Sequence, residues 1–446
     1  MIRKGLKPWL TKTPKTRASS ARLDKLKRDL QNSASCPLKK PNKNCRKCSE
    51  REPLPNRILF AKQNLLRKRP PLNSLLQNLT QSFESILQGQ LFPILREELG
   101  LLSERHQQFA RVLSLLQMDG HVSKRRGRGR PASDRAMMAR AFVAKAVFNF
   151  PLTRNLLDRL RADPVLRRMC GFETVARIPA EWTFSRAFAE FAKSQFPQRV
   201  HAALIERTQA ERLVCHISRD STAIEAREKV QPKAAESKPV RKSRSKKKVT
   251  DSKKMTRLQR QASGTMTVEQ MLAELPCGCD VGTKTNSKGR KSSWVGYKFH
   301  GDVADGHILI SCALTAASVN DTQVAIPLAE MTARKVKSLY DLMDMGYVSS
   351  EIREHSVGLG HVPLIPRRKN EAPEPMEPHQ QVRFRERTSV ERVFSRLKDE
   401  FGGRYVRVRG AAKVMAHLMF GVLAMTADQI IRWITPPETE SVPNTQ

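Results

Sequence analysis

The stretch "FRERTSVERVFSRLK", Phe384 to Lys398, holds a carboxylate between two cations: Arg387, then Glu391 four residues on, then Lys398 seven residues further. At about 100° per residue, a helix places the three within about 40° of one another, with Phe384 about 20° beyond them. Val390, Phe394, Leu397 and Phe401 gather on an adjacent face, roughly 90° away. The spacing therefore predicts a helix that buries one face and carries a carboxylate flanked by cations along its edge. Read alone, the same spacing is that of an ordinary surface helix with an i, i+4 ion pair, worth a few tenths of a kcal/mol.

Outward from this helix, the neighbouring text reads as a short α/β region. "RLVCHISRDST" is a strand-like apolar run that ends at Asp220. "WVGYKFHGDVADGHILISCALT" reads as strand, turn, strand, with Asp305-Gly306 as the turn and Asp302 and Asp305 as hairpin residues. "VKSLYDLMDMGY" gives a fourth run ending near Asp344, and the apolar stretch from 411 to 433 reads as a buried helix, because Lys413, His417 and Asp428 interrupt it as a membrane span. Asp220 and Asp344 at strand ends and Glu391 on an adjacent helix are hard oxygen ligands able to converge on Mg²⁺. Asp341 competes with Asp344, and the Gly346-Tyr347 pair that follows Asp344 favours the latter. Asp321, in "SVNDT", reads as structural, a helix cap.

Composition points to the substrate class. The 446 residues carry 81 Lys and Arg against 43 Asp and Glu, a net charge of +38. Self-repulsion on that scale opposes compaction, so a polyanionic partner, nucleic acid, is expected. The basic N-terminus lacks an apolar signal core, and eight cysteines in a chain this long do not form a disulfide framework, so a reducing cytoplasm is expected. At 39% hydrophobic residues, a sizeable core can be buried.

The organisation read from these patterns has four parts. Residues 1–55 are basic, rich in Pro, Ser and Lys, and expected to be largely disordered; the Cys45-x2-Cys48 step, with Cys36 nearby, is zinc-like but lacks a fourth ligand at sensible spacing. Residues 56–205 read as a helical domain, including "KRRGRGRP", in which Lys124, Arg125, Arg126, Arg128 and Arg130 are candidate DNA contacts. Arg128 to Pro131 matches the core of an AT-hook for a narrow minor groove. Residues 206–435 form the region with the acids. It is interrupted by a basic insertion at about 229–260, where Lys233 to Arg260 holds twelve Lys or Arg against two acids, and it is followed by a tail, 436–446. Within the longer segment between the first two strands, about 229–290, "LQRQASGTMTVEQMLAEL" reads as one short helix.

Asp220-Ser221-Thr222, Asp344-x-Gly346-Tyr347 and Arg387-x3-Glu391-x6-Lys398 together resemble the three acidic motifs of bacterial insertion-sequence DDE transposases. "CDVGTKTNSKGRKSSWVGYKFHGDVADG", "LTAASVNDTQVAIPL" and "LGHVPLIP" are similar to the family's flanking text, and the similarity runs from about 120 to 435. The resemblance implies a ribonuclease-H-like mixed sheet with flanking helices behind an all-α DNA-binding domain. It implies Asp220, Asp344 and Glu391 as catalytic metal ligands, with two Mg²⁺ ions, for which Mn²⁺ substitutes. It also implies Arg387 and Lys398 as DNA contacts, double-stranded DNA at element ends and target as the partner, a homodimer when assembled on DNA, no membrane, and a bacterial cytoplasm near the nucleoid. Two positions depart from the family's pattern: Phe384 stands where Tyr is usual, and Val348 where an acid is frequent. Neither removes a metal ligand. An inactivated transposase scaffold that binds DNA, and a metal-dependent nuclease without strand transfer, are the alternative readings.

Overall fold

The chain was analysed as a computed structural model that describes residues 102–122, 134–210, 212–230, 255–285, 289–367 and 376–434. All of these lie in the unit that spans Pro71–Gln446. The N-terminal basic segment with Cys36, Cys45 and Cys48, the Lys124–Arg130 run and most of the basic insertion lie outside the described residues.

Among the described residues, six helices come first: α1 (Glu104–Leu116), α2 (Arg135–Val147), α3 (Thr153–Ala162), α4 (Pro164–Met169), α5 (Glu181–Lys193) and α6 (Phe196–Gln209). Local chemistry sets their starts. Ser103 caps α1 by accepting from His106 N–H, and Asp134 caps α2 at 2.7 Å from Ala136 N–H. Pro164 opens α4 while Asp163 accepts from Leu166 N–H at 3.0 Å, and the same carboxylate takes a 2.9 Å bond with His106 of α1.

The sheet follows, as β1 (Leu213–Glu225), then, after two short helices α7 (Arg257–Ala262) and α8 (Val268–Ala273), β2 (Asp280–Thr285), β3 (Lys291–Ala304) and β4 (Ile308–Ala316). Helix α9 (Thr322–Ala333) leads to β5 (Lys337–Met343), and α10 (Ser350–Gly358) to β6 (Val362–Leu364). The six strands run in the order β2-β3-β1-β5-β6, with β4 also paired to β3. β1, β3 and β4 are antiparallel, whereas β5 is parallel to β1 and β6 to β5. That order and those directions are consistent with the expected ribonuclease-H-like sheet. The hairpin falls where read: Gly306 and His307, both at positive φ, turn the chain between β3 and β4.

The long helix α13 (Ala411–Ile434) closes the chain after α11 (Pro378–Phe384) and α12 (Ser389–Glu400). α13 is long and apolar enough to cross a membrane, yet 78% of its most apolar window is buried within the fold. Its Phe420 packs among Phe142, Phe188, Phe191 and Phe196, with ring centroids 5.4–6.3 Å apart. The N-terminal helices, β1, β3, β4, α12 and α13 therefore share one contiguous apolar core.

Several local readings change. Asp220 lies inside β1, five residues before its end, because pairing with β3 continues to Glu225↔Gly296. The segment 378–400 is not one helix. A 3₁₀ turn, Arg385–Thr388, separates α11 from α12 and carries Arg387. The single helix read in the insertion is two, since Thr256 and Thr267 each start a helix with a capping box. Asp302 lies in the β3–β4 hairpin as read, opposite Ser311, but it is fully buried there, bonded by Arg219 through Nε and Nη2, each at 2.7 Å, and by Thr332 of α9 at 2.7 Å.

Candidate active site

Side chains alternate across a strand, so β1 presents Ser218, Asp220 and Thr222 on one face and Arg219 on the other. Arg219, with Asp302 and Thr332, is turned toward α9. The other three all meet α12 and its lead-in. Ser218 Oγ donates to the Glu386 carbonyl at 3.0 Å and accepts from Ser389 Oγ at 3.0 Å. Asp220 lies 3.8 Å from Arg387 Nη1. Lys398 Nζ donates to Thr222 Oγ1 at 2.7 Å.

Close approach of α12 depends on Gly301, paired across the ladder with Asp220. A Cβ at Gly301 would come 3.0 Å from the Phe394 ring and 2.8 Å from Leu309. Phe394 instead packs edge-on against Phe299 at 5.9 Å. Val390, Phe394, Leu397 and Phe401 are all buried, the apolar face read from the sequence.

Asp344 arrives from the other side. β1 and β5 are parallel with Arg219 beside Met343, and one further step brings Asp344 level with Asp220. Asp344 begins a 3₁₀ turn and accepts from Gly346 N–H at 2.9 Å. Burial pushes the Asp220 carboxyl up to about 6, and the Asp344 charge adds to this. Ser221 N–H, Lys284 and Arg387 oppose it. Burial likewise raises Asp344, with Asp321 adding to it and the Gly346 N–H, Arg387 and Lys284 opposing. Each is the behaviour of crowded, partly desolvated carboxylates. Asp341 is different: it is 1% exposed on β5, bonded to His361 at 3.1 Å and held low, against its burial, by that bond and by Arg219.

Glu391 stands apart. Its side chain is 52% exposed and takes a 2.8 Å bond from Arg387 Nη2. Arg387 thus reaches Asp220 with one nitrogen and Glu391 with the other. Among the described residues, no three His, Cys, Asp or Glu side chains gather into a ready metal cage. The donor set nonetheless fits a hard divalent cation: two partly buried carboxylates lie close enough for the Asp344 charge to raise Asp220, and the buried Tyr347 hydroxyl has no hydrogen-bond partner while it feels Asp321, Asp220 and Asp344.

Three residues of this site escaped the sequence reading. Lys284, on β2, acts on both Asp220 and Asp344. Its strand lies in text that carried family resemblance but no acid, and only the β2–β3 pairing brings it in. Asp321 stands at the head of α9 but makes no side-chain cap; it pairs with Lys298 at 3.1 Å and bears on Asp344. Tyr347 was read only as a spacing mark. Arg387 and Lys398 are beside the acids; Lys124, Arg125, Arg126, Arg128 and Arg130 lie outside the described residues.

Residues 214–427 match the family described as Transposase DDE domain, and residues 101–190 match Transposase domain (DUF772). No curated protein and no solved structure matches the chain.

Proposed function

Since the chain belongs, by these two matches, to the DDE-type insertion-sequence transposases, we propose that it binds the terminal repeats of its element and cuts and joins DNA with Asp220, Asp344 and Glu391. The observation that carries this reading is the placement of Asp220 level with Asp344, on the one face of β1 that meets α12. Asp220 and Asp344 would hold a divalent cation, and Glu391 would complete the set with its side chain turned from Arg387. Bound divalent ions supply an activated nucleophilic oxygen and a stabilised leaving oxygen at a phosphodiester.

The chain's own cations do the positioning. Arg387 keeps Glu391 and Asp220 within reach of one charge, and an arriving phosphate competes for that guanidinium. Lys398 sits on Thr222, two residues from Asp220 and so about 7 Å along the strand. It is placed to hold a phosphate adjacent to the scissile one. Burial and the Arg404 charge lower its pKa, which favours a partner anion. The active assembly is a homodimer on paired ends in the bacterial cytoplasm.

The test is direct. Purified protein is incubated with Mg²⁺ and labelled duplexes that carry the ends of the surrounding element. Nicks at the ends followed by joining to a target are the expected products. Nicks without joining would make it a nuclease, and end-specific binding without nicks would make it an inactive scaffold.

A further inference from the structure

A cavity of about 660 Å³ lies away from the acids, between α2, α5 and the segment that links α12 to α13. Its apolar wall includes Phe142, Phe184 and Phe420. Lys145, on α2, lines it and is nine-tenths buried. The Lys145 ammonium has no hydrogen bond and no ion pair among the described residues. Its neighbour His417 is occupied by the Gly402 carbonyl at 3.0 Å. Burying a lysine this far without a counter-charge is costly, and an anion in the cavity would offset that cost.

The rest of the lining has the same sign. Arg154, Arg227, Arg407, Arg409 and Lys413 border the cavity against one carboxylate, Glu181, which already faces Arg154 at 3.7 Å. Strand β1 links this cavity to the acids. Arg227 follows the end of β1, and Arg409 Nε donates to its carbonyl at 3.1 Å. From Asp220 to Glu225 the strand covers about 17 Å, roughly five nucleotides of B-form DNA.

We propose that this cavity is a phosphate site in which Lys145 and the surrounding arginines take a backbone phosphate of the DNA strand that leads away from the acids. The inference rests on the DNA reading above and adds a contact on the helical half of the core. The exposed cations at the mouth admit the strand, and Lys145 at the wall gives the phosphate a water-poor partner.

The test uses the full chain and two measurements. Thermal melting is followed with and without inorganic phosphate, and binding of an end duplex is followed across a salt series. In the wild type, phosphate should raise the melting temperature. Lys145→Met should abolish that rise and lower the salt slope of DNA binding by about one. Should Lys145→Met fail to fold, Arg407→Gln with Lys413→Gln, both exposed, should lower the slope by about two. An unchanged phosphate response and slope in the variant that folds would overturn the site. A lost phosphate response with an unchanged DNA slope would overturn DNA as its ligand and leave a free-anion site. Strand cutting is not read, so a chain that binds DNA through Lys145 and cuts nothing would sink only the earlier reading.

Discussion

Arg387 Nη2 bonds Glu391 at 2.8 Å across one turn, and this pair ties the exposed carboxylate to the edge of the acid site. Because Arg387 also reaches toward Asp220 at 3.8 Å, charge removal on the two partners should have opposite signatures. Glu391→Gln keeps shape and a hydrogen bond but removes the charge proposed to ligate the metal. It should lower end cleavage by more than about 100-fold, above the 10–100-fold seen for outer metal partners, with DNA affinity nearly unchanged. Arg387→Ala should weaken end binding and flatten its salt dependence by about one unit of slope. Gel-based cleavage and titration on the same duplex separate the two, and full cleavage by Glu391→Gln would remove Glu391 from the catalytic set.

Asp344 and Asp341 are three residues apart and should fail differently. Asp344→Asn, at a site of mutual carboxylate repulsion, should abolish cleavage while the fold stays at least as stable. Asp341→Asn leaves His361 and Arg219 facing a neutral group in the core, a loss of about 3–5 kcal/mol. Urea unfolding midpoints beside cleavage rates check this. A stable, inactive Asp341→Asn would reverse the assignment.

Gly301→Ala adds a methyl where Phe394 and Leu309 already stand. The contact pushes α12 off β1 and costs about 1–3 kcal/mol. Cleavage should fall more than stability accounts for, because Glu391, Arg387 and Lys398 move with α12. Equal activity per folded molecule would show that the approach of α12 does not set the site.

Burial holds the Lys145 ammonium down to about 8 from 10.5. A lysine whose folded pKa lies below its unfolded value binds fewer protons in the fold between those two values. Stability therefore rises with pH from about 8 to 10.5, by about 3 kcal/mol for a shift of this size. Lys145→Met should remove that increment, seen as the difference between wild-type and variant unfolding free energies at pH 7.5 and pH 10. A pH-independent difference would mean that the fold leaves the Lys145 pKa where the unfolded chain has it, so that its ammonium is not desolvated.

The amino-acid sequence alone determined four of the six strands, β1, β3, β4 and β5, and the helices α12 and α13, because period-2 and period-3.6 apolar patterns are local. It placed the buried face of α12, the β3–β4 hairpin at Gly306 and Asp344 at a strand end. It also singled out Asp220, Asp344 and Glu391, since motif spacing survives in one dimension. Tertiary structure decided what spacing along a chain cannot carry. The length of β1 past Asp220 comes from its ladder with β3. The break before α12 turns Arg387 toward Asp220, where a continuous helical wheel would align it with Lys398. Lys398 reaches Thr222 across 176 residues, and Lys284 comes in on β2. Lys145 looked like any helix cation until α5 and α13 closed around it. Pairing and burial are set by distant segments, so the electrostatics of these groups became legible only once the sheet and its helices were assembled.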